Sequence, residues 1–116
     1  MLDVVREGQK IGCVAVATTF GARLRGLMFR RSLRTCDGMI FWHCRNLHTH
    51  FMLLVIDVVF LDASLCVISI KKSVRPWRIV GCRAAVHALE LISGTCERQN
   101  IGIGDHLAFS DTYLES

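Results

Sequence analysis

This sequence predicts a mainly β domain of barrel-like or sandwich form, with one amphipathic helix over about 19–31 and a short helix near 94–99. Three observations carry the prediction. Apolar stretches rich in Val, Ile and Phe recur every 10 to 15 residues with turn signals between them. Only one segment carries a helical period over three turns. The composition, 52% hydrophobic and 21% charged with a single proline among 116 residues, excludes low-complexity disorder and collagen-like repeats. At this length one domain is expected, burying roughly 65% of the surface of its unfolded chain.

Met1 to Glu7 alternates in polarity and turns acidic at Asp3, so it reads as the approach to a first strand and not as an export signal. Lys10 to Ala17 is a loosely alternating Val/Ile strand. Thr19 then stands as N-cap before Phe20, Leu24, Leu27, Met28 and Arg31, whose spacing of 4, 7, 8 and 11 makes one helical stripe. Gly26 weakens that helix by up to about 1 kcal/mol relative to alanine. Strands follow at Gly38 to His43 and at Asp57 to Leu61, the latter nearly continuous in apolar residues and therefore expected to be covered on both faces. Asp62-Ala63-Ser64 turns the chain into Leu65 to Ile70, and Pro76 holds Val74 to Trp77 in an extended loop. After the strand Ala84 to Leu91, a short helix from Ser93 or Thr95 to Gln99 is entered through Gly94 and ended by Asn100 and Gly102. The turn Gly102 to Asp105 leads to the last strand, His106 to Phe109.

No run is long enough for a transmembrane helix. Phe51 to Leu61 is interrupted by Asp57 and is about half of the roughly 20 residues needed. The expected location is cytoplasmic, with the six cysteines reduced and acting as small hydrophobes.

Four groups of residues bear on chemistry. His43, Cys44, His48 and His50 hold zinc only if three or four donors converge, and their spacing matches no tight knuckle; otherwise His48 is a hydrogen-bonded histidine near Asp57 and His50 a surface residue. Among the thiols, Cys96 alone combines a helix start with a neighbouring cation, Arg98, as a reactive thiolate requires; a core position in that first turn is the plainer reading. Arg23, Arg25, Arg30, Arg31 and Arg34 fall within twelve residues, and a net charge of +4 admits an anionic partner. Yet neither an aromatic-laced basic strand nor a helix-turn-helix pattern marks a nucleic-acid partner, and the arginines read as a solvated helix face. Asp57 and Glu90 lie in apolar surroundings, where a carboxylate must be partnered, either as a structural anchor or within a pocket. No nucleotide-binding glycine loop or Ser-His-Asp order is present.

Several blocks in fixed order carry a wider pattern. They are Thr19-x3-Arg23-x2-Gly26-Leu27-Met28-x-Arg30-x2-Leu33, Gly38-Met39-Ile40-Phe41, His48-Thr49-x2-Met52-x4-Asp57-x2-Phe60-Leu61-Asp62, Leu89-Glu90-Leu91-x2-Gly94-Thr95-x-Glu97-Arg98 and Gly104-Asp105. Together, over about residues 10 to 109, they resemble the DUF192 family. The resemblance implies a small β domain with the long helix packed against it and brings no established activity. It also implies relatives that are exported or linked to pilus or secretion machinery. The sequence departs from the family pattern at Ala22, Val55 and Ile92, where an acid and two prolines are usual.

Leu27, Phe60, Leu61, Leu89 and Leu91 read as packing, and Thr19, Gly94 and Gly104 as caps and turns. Arg23, Met28, Arg30, Met39, His48, Thr49, Met52, Asp57 and Glu90 remain as polar or adaptable groups, suited to a ligand cleft between helix and sheet, for which Arg23, Met28, His48, Thr49, Met52, Asp57 and Glu90 are the candidate binding residues, or to a buried network tying the two together. The expectation is a non-catalytic accessory module that holds a small anionic or sugar-like ligand, or a partner's segment, without a cofactor, a resident metal or a nucleic acid. The alternative is a metal-assisted or acid–base hydrolase using His48 and Asp57, with Cys44 or His50 in support.

Overall fold

A computed structural model describes residues 1–17, 37–49 and 54–111. The helix expected over about 19–31, with Arg23 and Met28, lies outside them, as do His50 and Met52.

Seven strands form one mixed sheet in the order β6-β5-β8-β3-β2-β1-β9. They are β1 (Leu2–Arg6), β2 (Gln9–Val16), β3 (Gly38–Phe41), β5 (Ile56–Leu61), β6 (Val67–Val74), β8 (His87–Ile92) and β9 (Ala108–Asp111). The three-residue strands β4 (Asn46–His48) and β7 (Ile79–Gly81) pair separately as a small ribbon. The sequence pattern did not predict these two, because three residues are too few to show a period. Glu7 and Gly8, both at positive φ, make the tight turn between β1 and β2, the backbone that two-residue hairpins require.

Strand β5 sits between β6 and β8 with all six residues buried, as its unbroken apolar run predicts. Alternation sends its side chains to two cores. Val59 and Leu61 join Val4, Val14, Ile40, Leu89 and Leu91 on one face, while Ile56, Val58 and Phe60 join Met39, Phe41 and Ala88 on the other. The first face is closed by the helix α1 (Thr95–Arg98) through Cys96, together with Ile101 and Leu107. Over the second face packs the β4–β7 ribbon, through Leu47 and Val80.

Barrel closure is not realised, and the sheet is open. Among the described residues its edges approach where Cys66 bridges His106, where Val67 and Leu107 donate to the carbonyls of Asp105 and Leu65 at 2.8 and 3.0 Å, and where Gly104 donates to the carbonyl of Val67 at 2.8 Å. Downstream of that bridge, β6 runs on to Val74 with β5 as its strand partner, and β9 pairs with β1. Helix α1 is entered, as expected, through Gly94 in the left-handed region (φ 93°) and left through Asn100 (φ 52°). No described helix is long and apolar enough to cross a membrane.

Candidate functional site

Asp57 is 1% exposed, and three backbone amides satisfy its carboxylate: Ser73 N–H donates to Oδ1 at 3.0 Å, and Gly94 and Cys96 N–H to Oδ2 at 3.1 Å each. The first comes from a bulge in β6, where Lys72 and Ser73 face the single residue Asp57 and Ser73 takes a positive φ of 55°. The other two lie at the start of α1, where orphan N–H groups favour an anion. Asp57 therefore ties β5 and β6 to the start of the helix.

Burial, the Asp57 charge and a hydrogen bond to that carboxylate push the Cys96 thiol up to about 12, while Lys72 draws it slightly down. A thiol at that value is protonated at neutral pH, so the helix start does not generate a thiolate here.

Thr49, fully buried, performs a similar task for the loop before β7. Its hydroxyl donates to the carbonyl of Arg75 at 2.7 Å and accepts from Arg78 N–H at 2.7 Å, while its own carbonyl accepts from Trp77 N–H at 3.1 Å. His48, one residue earlier, alternates with the buried Leu47 and is exposed on the outer side of the ribbon. Cys44 donates its thiol to Asn46 O at 3.1 Å. Among the described residues no three His, Cys, Asp or Glu side chains come close enough to hold a metal.

A histidine that the sequence did not single out, His87, is buried at the start of β8. Its Nδ1 accepts from His43 N–H at 3.0 Å and its ring meets Trp42 edge-on at 4.8 Å. Burial, with the His43 charge beside it, lowers its pKa. Its place at the head of an apolar strand was the only sequence signal.

Glu90 is different. In the unbroken β5–β8 register Asp57 lies opposite Leu91 and Val58 opposite Glu90. The two acids therefore project to opposite faces of the sheet. Glu90 stands between Met39 of β3 and Val58 of β5, on the face of the second core and the ribbon. It is 4% exposed, and its Oε2 has no hydrogen-bond partner among the described residues. Burial pushes its pKa up to about 8, so at neutral pH the protonated form, which carries a proton to donate, is favoured. Strand β3 comes so near at this point that a Cβ on Gly38 would collide with the Glu90 carbonyl.

The sequence matches the DUF192 family model, described as "Uncharacterized ACR, COG1430", over residues 3–109. The chain belongs to the DUF192 family. This DUF192 domain is 37% identical over 101 residues to a UPF0127 protein of Thermococcus sibiricus, with 83% of the chain aligned, and it spans 65% of that relative's length. It is 30% identical over 109 residues to a UPF0127 protein of Pyrococcus abyssi, covering 88% of the chain and 92% of the relative. The fold is shared with a Sinorhizobium meliloti protein described as a candidate transcription regulator, at 24% identity and a TM-score of 0.79 over 93% of this chain and 91% of that one. It is also shared with a Novosphingobium aromaticivorans protein of unknown function, at 22% identity and a TM-score of 0.74 over 92% and 82%.

Proposed function

We propose that this domain is a binding module without catalytic chemistry of its own, in which the protonated Glu90 carboxyl is the polar anchor of an otherwise apolar site on the sheet face beside Met39 and Val58. The observation that carries this reading is the buried Oε2 of Glu90 without a partner among the described residues. A buried polar atom left unsatisfied costs about 1–3 kcal/mol, which a ligand that bonds to it gives back. A neutral carboxyl both donates and accepts, which suits a sugar hydroxyl, an amide or a ligand carboxylate, and the methionine beside it adapts to shape. Arg23, Met28 and Met52, which the sequence groups with Glu90, lie outside the described residues. Asp57 and Thr49 serve the site by holding the surrounding framework, since their polar atoms are taken up by backbone groups.

The test is a thermal-shift screen of the full chain at pH 6 against mono- and disaccharides, small carboxylic acids and short peptides, with Glu90→Gln and Glu90→Met in parallel. The proposal expects at least one class to raise Tm in the wild type and in Glu90→Gln, and not in Glu90→Met. It fails if Glu90→Met folds and responds to the same ligands as the wild type.

A further inference from the structure

A second feature lies apart from Glu90. Between the end of β6 and the start of β7 runs an open groove of about 550 Å³ whose lining includes Lys71, Lys72, Ser73, Arg75, Arg78 and Ile79. Four of these are cations, all exposed, and none of the described lining residues is acidic. The acid nearest in bonding terms is Glu97, which meets Lys72 at 3.7 Å in an exposed pair, an interaction that salt and a competing anion readily displace. In the same loop Trp77 is 57% exposed, and Ile79 beside it 75%. A groove lined by four cations, with a part-exposed indole in the loop that carries Arg75 and Arg78, has the composition of a surface that takes a phosphate backbone and stacks a base.

The frame of this groove is built. Asp57 holds the bulge at Ser73, which follows Lys71 and Lys72, and Thr49 clamps the backbone of Arg75, Trp77 and Arg78 from below. Two buried side chains thus fix the backbone that presents the charges and the ring. The sequence pattern shows no aromatic-laced basic strand; the stretch Lys71-Lys72-Ser73-Val74-Arg75-Pro76-Trp77-Arg78, which runs from β6 into the following loop, nevertheless carries four cations and a tryptophan.

We propose that this groove binds single-stranded nucleic acid. Single strands are favoured over a duplex because their unstacked bases offer the faces an exposed indole can cover. Recognition is of backbone charge and base face, so sequence preference is weak.

The experiment is fluorescence anisotropy of the full chain with labelled dT20, U20 and a 20-base-pair duplex between 50 and 200 mM salt. With about four phosphates neutralised, the logarithm of affinity falls with that of salt at a slope of about −3, or about 50-fold over this range. Trp77→Ala is expected to weaken binding about tenfold, and Lys71→Ser with Lys72→Ser to flatten the slope by about 1.4. All three positions are exposed, and circular dichroism checks that the variants fold. Comparison of dT20 with U20 assigns DNA or RNA. No binding to either strand at 50 mM salt, tighter binding of the duplex, or binding indifferent to both variants overturns the proposal. So does equal binding of heparin with equal sensitivity to Trp77→Ala, which would make the groove a general polyanion site.

Discussion

Replacing Glu90 by glutamine should change how the stability of this domain depends on pH, and in one direction. In the unfolded chain the carboxyl titrates at its ordinary value of 4.5, whereas in the folded protein burial moves it to about 8. Between those values the native state keeps a proton that the unfolded state releases, so stability is lost as pH rises through the window, at about 1.4 kcal/mol per pH unit. Relative to pH 4, the Glu90 contribution falls by about 3 kcal/mol at pH 7 and about 4 kcal/mol at pH 8. That is a large share of the 5–15 kcal/mol by which a typical domain is stable. Glu90→Gln keeps the shape and the donor and cannot titrate. Urea unfolding of both proteins at pH 5, 6, 7 and 8, followed by circular dichroism, isolates the effect, because every other titrating group cancels in the difference. The variant should gain on the wild type steadily as pH rises. Parallel profiles across this range would refute the assignment of a neutral buried carboxyl.

Asp57→Ala should cost on the order of 3–5 kcal/mol, since three buried amides lose a charged acceptor at once; accelerated hydrogen exchange at Ser73 and Cys96 would mark the site, and an unchanged urea midpoint would contradict it. Cys96 should resist iodoacetamide in the native protein at pH 8 and react only in urea, whereas the half-buried Cys44 and Cys66 react first; mass spectrometry of the labelled peptides reads the order. Gly38→Ala should destabilise by about 3 kcal/mol or more, because the added methyl meets the Glu90 carbonyl, which is backbone and cannot turn aside; a thermal midpoint within a degree of wild type would contradict that contact.

The sequence made the central strand legible because Val58-Val59-Phe60-Leu61 admits hardly any other placement than burial on both faces. The short helix was legible too, since Gly94 and Asn100 mark its ends by backbone chemistry that few residues supply. A lone acid in an apolar run left Asp57 open as an anchor of structure or a member of a pocket. Its partners were not legible, because they are backbone amides: one is exposed to it by a bulge and two come from a helix start 37 to 39 residues away, and neither leaves a side-chain signature. Asp57 and Glu90 could be read as members of one cleft only while the register between β5 and β8 was unknown. The parity of that register, Asp57 opposite Leu91, separates them by the thickness of the sheet. Thr49 looked like a ligand contact for the same reason, since a buried threonine that clamps Arg75 and Arg78 makes its bonds to a loop 26 to 29 residues on. Strand spacing left a barrel and a sandwich both open, because it counts strands and says nothing about whether the two outer edges find each other.

A neutral Glu90 carboxyl that meets the ligand is the feature on which binding turns. Carbon-detected NMR of the side-chain carboxyl carbons, titrated from pH 4 to 10 with and without a ligand that raises Tm, observes it directly. The Glu90 resonance should titrate with a midpoint near 8 and shift when ligand is added at pH 6, while the Asp57 resonance on the opposite face stays in place. A Glu90 midpoint in the ordinary carboxylate range, or a bound ligand that leaves this resonance unmoved, would contradict it.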